Sequence, residues 1–236
     1  MRRLMLCLGL VVLVSGLVAP ARAYAQQSLS IYAGGFVPRG EDARVPGDVL
    51  FNDLFNNGRN AFLFDINQFN GGTVGAEWLA ALNDRLEVGL GLGIYSKQVP
   101  STYAFKVNEN GSEIEQDLKL RIVPLTATFR VLPFGRRAAV QPYVGAGVGA
   151  LSWRYTETGD FVDSGNFVFR DRFVGSGWSA GPLVLGGVRF PLGRVDLGFE
   201  VRHQSAEGTL DPLDFGGATK VDLSGFSYLA TFNIRF

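Results

Sequence analysis

The chain has 236 residues, with 22 basic side chains balanced by 22 acidic ones, 31 glycines and one cysteine. A formally neutral chain without a basic block carries no electrostatic footprint for nucleic acid. A lone cysteine excludes an internal disulfide framework and a thiolate metal cluster.

The first element is a leader. Arg2 and Arg3 precede an apolar run from Leu4 to Val18, followed by the small-residue triplets Ala21-Arg22-Ala23 and Ala23-Tyr24-Ala25. A charged start, an apolar middle and an A-x-A site read as a secretory signal peptide. The run is shorter than the ~20 residues of a spanning helix. Cleavage is expected after Ala25, or alternatively after Ala23, so that 1–25 is removed and 26–236 forms one domain. Cys7 leaves with the leader, which lacks a lipoprotein box. The remaining 19 basic and 22 acidic residues make the mature chain slightly acidic.

Eight strands follow in order, each read from a period of two. Leu29 to Val37 places Leu29, Ile31, Ala33 and Val37 on one face. Thr73 to Leu82 sets Val74, Ala76, Trp78, Ala80 and Leu82 against Glu77. After a turn at Asn83-Asp84-Arg85, Leu86 to Lys97 opposes Leu86, Val88, Leu90, Leu92 and Ile94 to Glu87 and a run of glycines. Leu118 to Val131 has Leu125, Ala127, Phe129 and Val131 opposite Thr126, Thr128 and Arg130. Its upper half looks phase-reversed, with Leu118, Leu120 and Ile122 against Lys119 and Arg121. Either a bulge at Val123-Pro124 or charges standing above a membrane would explain this. Val140 to Tyr155, Trp178 to Phe190, Arg194 to His203 and Ser224 to Phe236 complete the set.

Connections alternate between short turns and long links. The long links run roughly Pro38 to Gly72, Gln98 to Asp117, Thr156 to Gly177 and Gln204 to Leu223. Charged residues share faces with glycines, while the opposite faces are aliphatic or aromatic. A soluble lipocalin-like barrel would turn those apolar faces inward; facing lipid, they point outward. Only helices and closed barrels satisfy the backbone in a bilayer. The expected fold is all-β, an eight-stranded antiparallel up-and-down transmembrane β-barrel.

The segment QPYVGAGVGA (Gln141 to Ala150), the leader and the terminal YLATFNIRF together resemble the small bacterial outer-membrane β-barrel superfamily, the OmpA transmembrane-domain-like and opacity-protein-like barrels. The resemblance implies a bacterial outer-membrane location and no cofactor. It also implies contact with outer-membrane lipid and lipopolysaccharide, passage through periplasmic chaperones and the barrel-assembly machinery, and a monomer. The alternating strand ending on Phe236, with Phe232 and Ile234 before it, resembles the assembly signal of such barrels. The resemblance is to the barrel alone, and no peptidoglycan-binding domain is expected after the last strand.

Candidate sites follow from the faces. Glu77, Glu87, Arg130, Arg194, Asp196, Glu200, Arg202 and Arg235 fall on predicted lumen faces. They form either a salt-bridged plug or a gated ion or proton path, because buried charges must be paired. The first long link carries Phe51, Phe55, Phe62, Phe64 and Phe69 around a possible turn at Asn56-Asn57-Gly58. That much apolar surface reads as a lid, a hydrophobic-ligand entrance, or a further hairpin making ten strands. Later links carry Glu109, Glu113, Glu115, Asp117, Glu157, Asp160 and Asp163, expected to be solvated. Gly145 to Ala150 matches a dinucleotide fingerprint in letters, but more strand follows where a helix is required. His203 and Ser205 have the His-x-Ser spacing of lipid A deacylases, without the Asn-Ala that follows there, and Glu207 is a poor orienting group. The function expected is a non-enzymatic membrane protein with long outer loops; the rival is an OmpW-like conduit for small hydrophobic molecules.

Overall fold

Alternation organises eight segments into one closed sheet. The computed structural model describes residues 26–55, 61–163 and 165–236. The leader and its cleavage site, and the proposed turn at Asn56-Asn57-Gly58, lie outside them. The wall consists of β1 (Gln27–Pro38), β2 (Gly71–Ala81), β3 (Leu86–Val107), β4 (Glu113–Val131), β5 (Gln141–Val162), β6 (Val168–Leu192), β7 (Val195–Gln204) and β8 (Gly225–Arg235). Each pairs antiparallel with the next, and β8 returns to β1 from Ser28↔Arg235 to Pro38↔Gly225. A two-residue strand, Phe62–Leu63, pairs with Tyr103 and Thr102 outside the ring, so the barrel has eight strands and the ten-stranded alternative is not adopted. Among the described residues no helix is long and apolar enough to cross a membrane.

The wall is lopsided. β3, β4, β5 and β6 have 22, 19, 22 and 25 residues, whereas β1, β2, β7 and β8 have 12, 11, 10 and 11. A tilted strand needs ~9–11 residues to cross a bilayer. The long strands therefore continue about ten residues further, roughly 33 Å at 3.3 Å per residue. Two links expected as loops are thus mostly strand, because their alternation does not stop: Val99, Ser101 and Tyr103 keep pointing inward.

The phase of β4 does not flip. Pairing with β5 runs unbroken from Ile122↔Trp153 to Leu125↔Ala150, so there is no bulge at Val123-Pro124. Proline cannot donate to the ladder, and the pairing to β3 skips the level of Gly93 and Ile94 beside it. What changes there is the chemistry of the inner face. Below Pro124 the inward residues are Thr126, Thr128 and Arg130; above it they are Ile122, Leu120, Leu118 and Ile114, interrupted only by Gln116. Lys119 and Arg121 point outward, above the apolar belt.

The upper interior is an apolar core. The first long link enters it as a helix, α1 (Val49–Phe55), and a 3-10 turn at Ile66–Phe69. Val49, Leu50, Phe62, Ile66 and Phe69 pack against Tyr95, Leu118, Leu120, Trp153 and Tyr155 of the tall wall. Burying a side chain of this size contributes ~1.5–3 kcal/mol. Asp48 pins the link. Its carboxylate takes an ion pair from buried Arg44 at 2.6 Å and the amides of Phe51 and Asp222 at 3.2 and 2.7 Å. Asp222 lies in the last long link and pairs with Arg39 at 3.1 Å. The first and last links are thereby locked together over the mouth.

Candidate functional site

Every strand of the ring contributes to a polar cluster in the lower lumen. Glu77 of β2 is its centre. One carboxylate oxygen accepts from Arg130 of β4 and Arg202 of β7, each at 2.5 Å, and the other accepts from Thr128 at 2.7 Å. Glu200 of β7 meets Arg130 at 3.0 Å, also binds Arg202, and accepts from the hydroxyl of Tyr143 on β5 at 2.8 Å. Arg189 of β6 grips both oxygens of Glu87 on β3, at 3.1 and 2.5 Å, and Arg136 reaches the same carboxylate at 3.4 Å. The Tyr143 ring lies between the guanidiniums of Arg130 and Arg189, at 5.1 and 4.6 Å, and joins the two groups. Tyr32 of β1 lies under Arg202 at 4.8 Å. Nearest the short-turn end, Arg235 of β8 pairs with Asp196 at 2.5 Å.

Four carboxylates thus meet five guanidiniums in a lumen closed to solvent; Glu77 and Glu200 are each 1% exposed. Seven of the eight residues expected on the lumen face stand in this cluster. Arg194 does not. It sits in the two-residue turn between β6 and β7, exposed, because the strand begins one residue later than its alternation suggested. Arg189 and Arg136 are the additions. Arg189 shares parity with the inward Leu183 and Leu185, a signal carried by the sequence. Arg136 comes from a turn, where alternation gives no guidance.

Between the polar cluster and the apolar core lies a cavity of about 20 Å³, lined by Phe36, Thr73, Tyr95, Ile122, Pro124 and Gln204 among others. That is room for about one water molecule. Phe62 and Phe69 are buried in the core and Phe64 packs against it, whereas Phe51 is half-buried and Phe55 exposed. The aromatic link is therefore a stopper seated inside the mouth.

Glu157 departs from its expected solvated place. Its parity on β5 is that of Tyr155 and Phe161, so it points into the upper core and is 4% exposed. Burial pushes its carboxyl up to about 8, against a lowering contribution from Tyr155. Asp53 of α1 is also raised, by burial and then by the charge of Glu157, although the Tyr155 hydroxyl donates to it at 3.1 Å.

The remaining candidates separate. His203 points outward and packs at a tilt against Phe226, with ring centroids 4.6 Å apart. Ser205 contacts the Ser224 hydroxyl at 3.5 Å, and Glu207 is paired with Lys220 at 3.0 Å. No His203–Ser205 hydrogen bond forms among the described residues. Gly145 to Ala150 lies wholly within β5, and Gly147 lets the wall pass close to the Ala127 carbonyl, where a Cβ would collide. Phe232, Ile234 and Phe236 are exposed on the outer face. No group of three or more His, Cys, Asp or Glu side chains suited to a metal occurs among the described residues.

Two predictions follow from this geometry. Glu77→Ala leaves the buried guanidiniums of Arg130 and Arg202 with Glu200 as the one carboxylate between them and should cost ~3–5 kcal/mol. Its urea midpoint in detergent should fall accordingly, whereas Glu113→Ala and Arg194→Ala should leave the midpoint in place. The second concerns pH. Glu157 has an ordinary value of 4.5 when unfolded and about 8 when folded, so the folded state holds the extra proton between them. Asp53, raised beside it, adds to the effect, so stability should decline as pH rises through that window, by at most about 1.4 kcal/mol per pH unit for each proton held. Glu157→Gln should flatten the decline; parallel slopes for both proteins between pH 5 and 8 would refute the assignment.

Comparison with solved structures shows the same architecture. The outer membrane protein OprG from Pseudomonas aeruginosa matches 90% of this chain over 97% of its own, with a TM-score of 0.50 and 15% identity. Neisserial surface protein A matches 89% over 97% (TM-score 0.46, 15% identity), and the outer membrane protein W of E. coli 91% over 100% (TM-score 0.42, 16% identity). No family model matches the chain, and no curated protein matches it in sequence. At such identities the likeness speaks to fold alone. The chain has the fold of the small outer-membrane β-barrels.

Proposed function

We propose that this is an integral protein of a bacterial outer membrane whose barrel is a sealed, non-enzymatic scaffold. In this reading the tall hairpins of β3–β4 and β5–β6 stand outside the cell as its interaction surface. One observation carries the reading: beyond an open cleft at the short-turn mouth, the lumen is filled, by paired charges and then by an apolar core. An aliphatic and aromatic outer belt, with Leu90, Leu92, Val144, Val148, Trp178, Phe199 and Phe232 exposed, supports immersion in lipid. A conduit for hydrophobic molecules would need an opening that the seated link and the small central cavity do not offer. The separation of His203, Ser205 and Glu207 into unrelated contacts favours a non-enzymatic role.

Planar-bilayer recordings of the purified protein test this directly. The expected result is no steady conductance, from a protein that fractionates with outer membranes and migrates faster unheated than heated. A large stable conductance would move the assignment to a channel, and detergent-free recovery from the periplasm would remove it from the membrane.

The outer-face aromatics of β8 are assigned to recognition by the assembly machinery. Deleting Phe236 should reduce the inserted fraction several-fold, while a deletion within residues 108–112 at a hairpin tip should not. Equal insertion of both would refute that role.

A further inference from the structure

A row of four outward side chains crosses the tall wall immediately above the apolar belt. Ser96 on β3 is the register partner of Arg121 on β4, Arg121 of Arg154 on β5, and Arg154 of Ser176 on β6. The next outward row below is Val123, Ser152 and Trp178, with Ile94 beside it on β3; Trp178 is 70% exposed. Lys119 stands one outward position above Arg121. Cβ atoms of direct cross-strand partners lie ~4.5–5.5 Å apart, and like charges placed so repel. Arg121 and Arg154 nevertheless face each other, both exposed. Neither they nor Lys119 pairs with a carboxylate among the described residues. The acids on this face, Asp117, Glu115 and Asp160, stand farther along the strands, away from the belt. A groove of about 390 Å³ runs between the two arginines, with Val123, Ser152 and Trp178 along it.

We infer that this groove binds the phosphate of a phosphorylated glycolipid in the outer leaflet. Two guanidinium forks side by side suit a phosphate, which accepts paired N–H bonds from each. The hydroxyls of Ser96 and Ser176 flank them as further donors. Position selects a lipid over a soluble anion. The charged row lies one step above Val123 and Trp178, so acyl chains can run down the belt while the headgroup meets the arginines. The exposed indole of Trp178 occupies the interfacial level that tryptophan prefers. The anion removes the repulsion between Arg121 and Arg154, and the site holds the barrel upright along its tall side. This inference rests on the membrane placement proposed above.

The test uses purified protein in detergent, first shown to give the heat-dependent gel shift. Binding of diphosphoryl lipid A and of its dephosphorylated form in mixed micelles is then followed by native mass spectrometry and Trp fluorescence. The phosphorylated lipid should bind about tenfold more tightly, equivalent to ~1.4 kcal/mol. The double variant Arg121→Gln/Arg154→Gln should lose that preference while keeping the gel shift, with Arg121→Gln alone intermediate. High salt should erode it, since screening at ~1 M confines charge interactions to about 3 Å. Equal affinity for both lipids, or a double variant that binds like the wild type, overturns the proposal. Inorganic phosphate alone, if it bound as well as the lipid, would assign the groove to a soluble anion and overturn the lipid assignment. A protein without the gel shift would fail before any lipid is added, which would sink the membrane reading itself.

Discussion

Eight strands close only around an interior of fixed width, and every second side chain must fit inside it. The rest of the structure depends on how that space is filled. Arginines and glutamates can enter it only if each finds a partner of opposite sign, because an unpaired buried charge costs several kcal/mol. Glu77 meets this condition by taking two arginines from strands on opposite sides of the ring. Glycines on β3 and β5 make it possible; a Cβ at Gly91 would crowd the Thr126 hydroxyl, and one at Gly145 would meet the Phe129 carbonyl. The ion pairs are thus also crosslinks, fixing the relative heights of β2, β4 and β7.

Above the apolar belt the same ring obeys the opposite rule. Water lies outside, so apolar residues turn inward and polar ones outward, as in a soluble sheet. The short strands β1, β2, β7 and β8 do not reach this level, and the gap they leave is filled by the link preceding β2. Its helix and 3-10 turn supply Leu50, Ile66 and Phe69, while Asp48 ties them to the link preceding β8. Plug and wall form one core, which accounts for an unusually apolar loop.

Much of this is legible in the sequence. Strand identity, ring size and the inward charges follow from period-two alternation, since a strand that is apolar on only one side must face two media. The same rule places Glu157 and Arg189 inside, and both are missed only where it is not carried to the strand's end. Strand length is less legible, because alternation past residue 97 resembles a polar loop once its inward residues include Ser101 and its outward ones Gln98. Arg194 and Arg136 lie in turns, where the period carries no information. Contacts between distant links, such as Asp48 with Asp222, leave no local signature at all.

In the membrane placement proposed above, the change of inner-face chemistry at Pro124 also sets how deep the molecule sits. A sheet shifted vertically by two residues keeps its alternation, so hydrogen bonding alone does not choose a depth. Here the outer face changes from Leu125 to Arg121 within four residues, at the level where the inner face changes from Thr126 to Ile122. Sinking by one pleat would draw Arg121 and Arg154 toward hydrocarbon, and rising by one would lift Val123 and Trp178 into water. The strand thus carries its own waterline, written twice on opposite faces, and the barrel floats at the height where both are satisfied.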